Sequence, residues 1–312
     1  MVLGIMGHDD KGIEDQSRTI SAPNDQAMLE RQTEEKRPAG RRTFPNFISG
    51  SLRARLAVFA LTFLIFLSLW QLIASLTNNS LILAKPLPVF QALVNLLQDN
   101  VPRATEGLQN PTIAIVQTLE IVFLGFGLAA IVGIPIGILE GRWNFAAGII
   151  DPWIDATHSI PIVALIPTLY FAIGGSFFAF VFIAFLLAVF SIIVNTQSGV
   201  KYSIGFLSDV GRSFRASELQ FISKIVLPAS MPDIITGLRV GLGRAILGAV
   251  LAQALLSGNG LGGMIVTFQD LYATPYTMAT LLLIAVLGIL VLQLPKQLEK
   301  RIFKGNEIFE TL

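Results

Sequence analysis

Long apolar runs separated by short polar stretches are the main pattern of this 312-residue chain. Six of these runs approach the roughly 20 residues that a helix needs to cross the hydrocarbon core of a bilayer. Because backbone that crosses lipid must satisfy its own hydrogen bonds, each run is predicted to be a helix. The predicted spans cover residues 56–76, 113–139, 148–173, 176–197, 236–257 and 277–295. The pattern therefore predicts an all-α integral membrane protein with about six transmembrane helices.

Composition and charge agree with this pattern and narrow the possible functions. Hydrophobic residues make up 53% of the chain and charged residues only 14%, as expected for a protein that is largely embedded in lipid. The formal net charge of +1 gives no basic surface of the kind that binds nucleic acid. The absence of cysteine excludes disulfide bonds, thiol catalysis and thiolate metal sites.

Lysine and arginine are distributed unevenly between the two sides of the predicted bundle. On one side, segments 77–112 and 258–276 contain only Lys85 and Arg103 between them. The other side carries basic residues before the first span and after the second, fourth and sixth spans: Arg41, Arg42, Arg53, Arg55, Arg142, Lys201, Arg212, Arg215, Lys224, Lys296, Lys300, Arg301 and Lys304. Because short basic loops stay in the cytoplasm, this asymmetry predicts that both termini are cytoplasmic.

The polar segment SELQFISKIVLPASMPDIITGLRVGLGRA, residues 217–245, begins in the largest predicted cytoplasmic loop. Ser217 followed three residues later by Gln220 has the pattern of a capping box, which marks the start of a helix. Apolar residues then recur at helical spacing until Pro228, which is predicted to end the helix. Such a short amphipathic helix either lies on the lipid headgroups or docks a cytoplasmic partner, and its well-defined ends favour docking.

The sequence around this predicted helix resembles a known loop motif. Residues 225–228, Ile-Val-Leu-Pro, resemble the I-x-L-P end of the cytoplasmic loop of permease subunits in ATP-binding-cassette importers. Similarity extends from about residue 80 to 303 and includes GFGLAAIVGIPIGILEGR at 125–142 and DPWIDATHSIPIVALIPTLYFAIG at 151–174. The chain is therefore identified as similar to the nitrate, sulfonate and taurine type of binding-protein-dependent transport inner-membrane component.

This resemblance implies a function and a set of partners. It implies a permease subunit that forms the translocation pathway for a small solute, such as nitrate, sulfonate, taurine or bicarbonate. The implied partners are cytoplasmic ATPase subunits, a second permease chain that is identical or diverged, an extracytoplasmic solute-binding protein and the lipid of a bacterial inner membrane. ATP hydrolysis is expected in the partner subunit, so the chain is expected to be neither an enzyme nor a cofactor-binding protein.

The resemblance also implies that the predicted cytoplasmic helix is the coupling helix, on which the ATPase pulls. The residues that match the coupling motif are Arg215, Ala216, Ser217, Leu219, Ile222, Ile225, Leu227, Pro228 and Gly237. Arg215 departs from the family, which has glycine there, and a residue other than glycine in a left-handed turn costs roughly 1 kcal/mol. Either the turn is reshaped in this chain, or the cost is borne.

Other motifs give no support for catalysis or metal binding. GNGLGG, residues 258–263, contains G-x-G-x-x-G, but it follows a predicted membrane span rather than a strand and is predicted to form a tight turn with a short re-entrant piece. The chain has no phosphate-binding G-x-x-x-x-G-K-[ST] motif, and its two histidines are far apart. Polar residues within predicted spans are candidates for the solute pathway. They are His158, Ser159 and Gln253, with helix packing as the alternative role of His158. Pro161 is a further candidate, because a break in the helix there would expose backbone amides to an anion.

Four regions are predicted along the chain. Residues 1–50 form a charged, disordered cytoplasmic tail without a signal-peptide core, and residues 304–312 form a second cytoplasmic tail. Residues 51–112 hold the first span and an external interfacial helix near 85–100, which either packs at the interface or meets the solute-binding protein. Residues 113–303 form the permease core with five spans and the coupling loop 198–235.

Two rival classes have less support. A secondary transporter or channel would require coupled acids in mid-membrane or repeated halves, and the sequence offers only Glu120 as a deep acid and no clear repeat. A membrane-embedded enzyme would require a catalytic pair within a span, and none is visible.

Overall fold

A computed structural model of the chain describes residues 52–77, 79–101, 109–256, 259–295 and 297. The predicted tails, residues 1–50 and 304–312, lie outside the described residues. The chain forms two compact units, residues 1–65 and 66–312. Of the first unit, the structure describes the exposed first half of a single helix.

The described residues are helical apart from short connections, which confirms the predicted fold class. The helices are α1 Leu52–Thr77, α2 Pro86–Leu97, α3 Pro111–Arg142, α4 Asn144–Ser159, α5 Ile162–Ala172, α6 Phe177–Ser213, α7 Glu218–Phe221, α8 Leu227–Leu256, α9 Gly260–Asp270 and α10 Thr274–Val291. A single π-helical turn, Ile222–Val226, joins α7 directly to α8.

Within the described ranges, five helical stretches are long and apolar enough to cross a membrane. They are Leu56–Thr77, Pro111–Arg142, Phe177–Asp209, Glu218–Leu256 and Thr274–Pro295. These stretches contain the first, second, fourth, fifth and sixth predicted spans almost completely. The apolar pattern therefore predicted where the spans lie. It did not predict the helix ends, because several helices continue into polar residues beyond the apolar run.

The third predicted span, 148–173, is broken rather than continuous. The structure forms α4 and α5 there, with their axes bent by 101° at the break, which is the geometry of a broken span or a re-entrant loop. Pro161 explains the break, because the residue before a proline is excluded from the helical region by steric contact with the proline ring. Ile160 is accordingly extended, with ψ 128°.

The central core is built from α3, α6 and α8, and glycines let these helices approach closely. Added methyl groups at Gly133, Gly137 and Gly141 would lie 3.1, 2.6 and 2.7 Å from Cβ atoms of α6. Since the three glycines are spaced by four residues, they form one stripe along α3. Gly241 and Gly248 of α8 contact α6 from their own helix in the same way.

The helix predicted near 85–100 is present as α2, whereas its position outside the membrane stays a prediction. Val89, Ala92 and Leu96 pack in a second cluster with residues of α9 and α10, whereas Phe90 and Leu97 are exposed. Hydrogen bonds add to this packing. The Asn95 amide donates to the Tyr276 hydroxyl at 3.1 Å, and the Trp70 indole donates to the Ala84 carbonyl at 3.0 Å.

The predicted coupling loop, 198–235, is mostly helical rather than irregular. α6 continues without interruption to Ser213, so its 37 residues extend for about 55 Å. The hydrocarbon core of a bilayer is only about 30 Å thick. α6 is therefore longer than the hydrocarbon core is thick, and its C-terminal end lies next to α7, where Gly211 contacts Phe221.

Candidate coupling site

α6 ends in a Schellman motif, and Arg215 occupies the position that is usually glycine. The Arg215 amide donates to the Arg212 carbonyl at 3.0 Å, and the Ala216 amide donates to the Gly211 carbonyl at 3.1 Å. These two bonds define the motif and require a left-handed residue between the helix and the following chain. Arg215 has φ +48°, so the turn keeps the left-handed conformation that suits glycine. The folded chain therefore includes the conformational free-energy cost of a side chain at this position.

The same motif ends α5, where the chain does use glycine. Gly174 has φ +91°, and the amides of Gly174 and Gly175 donate to the carbonyls of Phe171 and Tyr170. No side chain or backbone atom lies within 4 Å of a methyl group built on Gly174. Gly174 and Arg215 therefore provide a matched pair for measuring what a side chain costs at this position.

We expect Arg215→Gly to stabilise the chain by about 0.5–1 kcal/mol, because glycine removes the left-handed strain but adds some entropy to the unfolded state. Gly174→Ala is expected to destabilise the chain by a similar amount for the reverse reason. Reversible denaturation of the purified chain in detergent measures both variants. A less stable Arg215→Gly variant, with Gly174→Ala behaving as expected, would mean that the guanidinium contributes more than the strain costs.

α7 starts at the predicted capping box. The Gln220 amide donates to the Ser217 hydroxyl at 3.4 Å, and the Ser217 amide donates to the Gln220 side-chain carbonyl at 3.1 Å. The box satisfies two amides that would otherwise lack partners at a helix start. The local sequence therefore predicted the beginning of this helix correctly.

The end of the coupling helix differs from the prediction, because Pro228 does not terminate it. The π turn adds one residue to the helix, and the Leu227 amide donates to the Ile222 carbonyl five residues back. Pro228 thus becomes the second residue of α8, where a missing amide hydrogen and a fixed φ are tolerated. The Ser230 hydroxyl donates to the Val226 carbonyl at 2.6 Å. Helical structure consequently runs from Glu218 to Leu256.

Two contacts fasten α7 and the π turn to the membrane-embedded core. The Arg142 guanidinium, at the end of α3, donates to the Glu218 carboxylate, with 2.6 Å from Nε to Oε1. On the underside, the Phe221 ring fills the space beside Gly211, where a methyl group would lie 2.5 Å from the ring. Phe221 and Val226 form a small buried cluster with Val200 of α6.

The nine predicted coupling residues fall into distinct structural positions. Leu219 is 80% exposed and points away from the core, while Ile222, Ile225 and Leu227 are half-buried. Ala216 and Ile225 also pack against the cluster around Val226. Gly237 lies apart from the others, farther along α8, where a methyl group would lie 2.9 Å from Cβ of Asn195 in α6. Arg142 and Phe221 were missed because a contact between distant segments leaves no mark in either segment alone.

The predicted pathway residues occupy two places. Ser159 and Pro161 lie at the bend between α4 and α5, and His158 is in the last turn of α4, with its side chain outside the described part. The Ser159 hydroxyl donates to the Asp155 carbonyl at 3.1 Å. Gln253 is buried in α8, at the opposite end of that helix from the coupling segment.

Gln253 belongs to a polar network that caps the buried start of α9. The Gly260 amide donates to the Gln109 side-chain oxygen at 2.7 Å, the Leu261 amide to the Thr118 hydroxyl at 3.1 Å and the Gly262 amide to the Gln253 side-chain oxygen at 3.3 Å. Three of the four amides that a helix leaves without partners at its start are thereby satisfied. The glycine-rich stretch therefore permits close packing of α9, since a methyl group on Gly262 would lie 2.1 Å from the Val250 carbonyl oxygen.

Comparison with known proteins assigns the family. Residues 133–304 match the family described as binding-protein-dependent transport system inner membrane component. The chain belongs to this family. Its members are permease subunits of ABC transporters, in which separate subunits hydrolyse ATP and binding proteins deliver the solute. This membership makes the chain a multi-pass membrane protein and a permease of the ABC class rather than a secondary transporter or a channel.

Similar proteins support the assignment over most of the chain. A putative ABC transporter permease of Methanocaldococcus jannaschii is 33% identical over 78% of this chain and 89% of its own length. A bicarbonate transport system permease of Synechococcus elongatus is 32% identical over 72% and 80%. A nitrate import permease of Leptolyngbya laminosa is 32% identical over 65% and 72%. A solved inward-facing structure of the MetNI methionine ABC transporter shares the fold, with a TM-score of 0.53, 16% identity and coverage of 65% of this chain and 99% of that one. The chain is thus the permease subunit of an ATP-driven importer.

Proposed function

We propose that residues 215–228 are the segment through which this permease is coupled to its ATPase subunits. The observation that carries the proposal is the contrast between the two sides of the segment. Leu219 is almost fully exposed, whereas Phe221 and Val226 are buried and Glu218 is paired with Arg142. Leu219 is thus a large apolar side chain exposed on a segment that packs against the core. Such a side chain is more stable when a protein partner covers it than when it contacts water.

The continuous connection between α7 and α8 explains how a movement of the ATPase would reach the membrane-spanning helices. Because the helical path from Glu218 to Leu256 has no break, a force applied at Leu219 moves α8 as a unit. ATP-driven closure of the ATPase subunits then biases the permease between two states through their different contacts with this lever. At the far end of α8, Gln253 contacts the start of α9, so the same movement reaches the opposite side of the bundle.

The proposed orientation places the coupling segment and both termini in the cytoplasm. Support comes from the basic residues that cluster on the side of Arg142, Arg212 and Lys224, since such residues are retained in the cytoplasm. The bilayer in question is proposed to be a bacterial inner membrane. Docking of a cytoplasmic ATPase at Leu219 tests this orientation as well as the coupling role.

The proposed solute is a small anion, and the proposed assembly contains a second permease chain and an extracytoplasmic binding protein. Similar proteins are named as permeases for nitrate, bicarbonate and aliphatic sulfonates, which supports an anionic solute of this size. The bend at Pro161 is proposed to face the pathway, because a broken helix exposes backbone groups that can bind an ion. His158, Ser159 and Gln253 remain predictions as pathway residues.

We expect the purified chain alone to hydrolyse no ATP, because the sequence has no phosphate-binding loop. Reconstitution with its ATPase and binding protein should give hydrolysis that is stimulated by one solute with an anionic group, from a panel of nitrate, bicarbonate, alkanesulfonates and the zwitterion taurine. ATP hydrolysis in proteoliposomes measures this, and an ATPase variant with a disabled phosphate-binding loop is the control. Strong stimulation by an uncharged or cationic solute, with none by any anion, would overturn the proposed solute class.

A further inference from the structure

Two carboxyl groups meet at the inner end of the helix bundle, outside the contacts used in the coupling proposal. Glu140 lies near the end of α3, and its side chain is 1% exposed. Asp151, on α4, lies within hydrogen-bonding reach of Glu140. Neither carboxylate oxygen of Glu140 accepts a hydrogen bond from a donor group in the described part of the chain.

The surrounding groups do not neutralise both carboxylates. The Gln197 side chain, on α6, donates to Asp151 at 3.0 Å but carries no charge. In the described part of the chain, the cation that interacts with both acids is Lys201, also on α6, and this residue is exposed. Arg142 is two residues from Glu140, but its guanidinium pairs with Glu218. One partly solvated lysine therefore faces two adjacent acids.

Two adjacent carboxylates cannot both remain ionised in a buried site unless a positive charge lies between them. A proton is the smallest such charge, and it also converts a repulsive contact into a hydrogen bond, because a protonated carboxyl group becomes a donor. We propose that Glu140 and Asp151 form a proton-binding site in which the two carboxyl groups share one proton. Glu140 is the buried partner, and Asp151 is the partner held in place by Gln197.

The shared proton would fasten α4 to the core. Glu140 lies on α3 beside Gly141, which packs against Val200 of α6, whereas Asp151 belongs to the helix that leads to the bend at Pro161. With the proton bound, the two carboxyl groups attract each other and hold the inner end of α4 against α3 and α6. Loss of the proton leaves like charges in contact and weakens this attachment.

Infrared difference spectroscopy of the full purified chain in lipid nanodiscs tests the site directly. We expect a protonated-carboxyl stretching band near neutral pH that shifts in D₂O, disappears as the pH rises and is absent from the Glu140→Gln and Asp151→Asn variants. Glu120→Gln is the matched control, because Glu120 is an exposed residue of the same helix and its replacement should leave the band unchanged. Absence of the band in the wild-type chain would overturn the proposal.

A stability titration gives a second readout, which does not depend on assigning a spectral band. The folded chain holds a proton that the unfolded chain releases, so wild-type stability should fall as the pH rises, by up to tenfold in the unfolding equilibrium constant per pH unit. Glu140→Gln carries a permanent amide hydrogen in place of the proton, and should flatten this dependence. Lys201→Gln removes the facing cation and should move the dependence to higher pH.

The same titration in sodium and in choline buffers separates a proton from a metal cation. Equal profiles in the two buffers are expected for a site that binds only a proton. Stabilisation that follows the sodium concentration rather than the pH would overturn the proposal in favour of an alkali-cation site. Because neither measurement uses ATP or solute, failure of this proposal leaves the coupling role of residues 215–228 untouched, and failure of coupling leaves this site untouched.

Discussion

Leu219→Asp is expected to weaken binding of the ATPase subunit about 100-fold while leaving the permease folded. The Leu219 side chain is 80% exposed, so aspartate meets water in the isolated chain and costs little there. In the docked complex, the same carboxylate would lose its water without gaining a partner, which costs several kcal/mol. A 100-fold loss corresponds to about 2.8 kcal/mol, within the range of a central apolar contact in an interface.

The measurement is the affinity of the purified ATPase for the permease in nanodiscs, together with solute-stimulated ATP hydrolysis. Phe206→Asp is a matched control, because Phe206 is also apolar and exposed, at 76%, but lies on α6 outside the coupling segment. Unchanged affinity and hydrolysis in Leu219→Asp would show that residues 217–228 are only a connector lying on the headgroups. A large loss in both variants would mean that the docking surface extends along α6.

A substitution of the half-buried Ile222 tests docking less clearly than a substitution of Leu219. The sequence by itself did not reveal this difference in exposure. Helical spacing predicted that both would share one apolar docking face. Ile222 follows the buried Phe221 directly in the helix, and it is itself partly buried. Ile222→Asp would therefore combine lost docking with a destabilised segment, and only Leu219→Asp separates the two effects.

Gly137→Ala is expected to destabilise the folded chain by about 3 kcal/mol. The added methyl group would lie 2.6 Å from Cβ of Thr196 and 2.8 Å from the backbone carbonyl oxygen of Ile193, so α3 and α6 must separate. Overpacking of this kind typically costs 1–3 kcal/mol, and a backbone contact cannot be relieved by a side-chain rotation. The substitution should therefore lower the stability of the packing between α3 and α6, rather than change a single side-chain contact.

Gly127→Ala provides the control on the same helix. No atom lies within 4 Å of a methyl group at Gly127, so the substitution should be neutral or slightly stabilising because alanine favours helix. Equilibrium unfolding of both variants in mixed micelles gives the difference in free energy. Equal stabilities of the two variants would show that α3 and α6 do not pack closely enough at Gly137 to exclude a methyl group.

The local sequence predicted much of the candidate site, because parts of it depend on neighbouring residues only. The capping box of Ser217 and Gln220 joins residues three apart, and the need for a left-handed residue at Arg215 follows from the motif that ends α6. The capping box was predicted correctly. For Arg215 the resemblance left open whether the turn is reshaped, and the structure shows that it is left-handed. The Arg142–Glu218 pair and the contact of Phe221 with Gly211 join residues 76 and 10 positions apart, and no local pattern marks them.

The sequence by itself determined that the chain is a helical membrane protein, where its main spans lie and which family it belongs to. These properties follow from apolar length, charge asymmetry and motif, since lipid imposes the same demand for internal hydrogen bonds on every spanning segment. The tertiary structure decided that the span around Pro161 is bent and that Pro228 continues a helix. It also decided that Leu219 is exposed while Phe221 is buried. Each of these depends on which distant residues fill the neighbouring space, and that is fixed only when α3, α6 and α8 pack together.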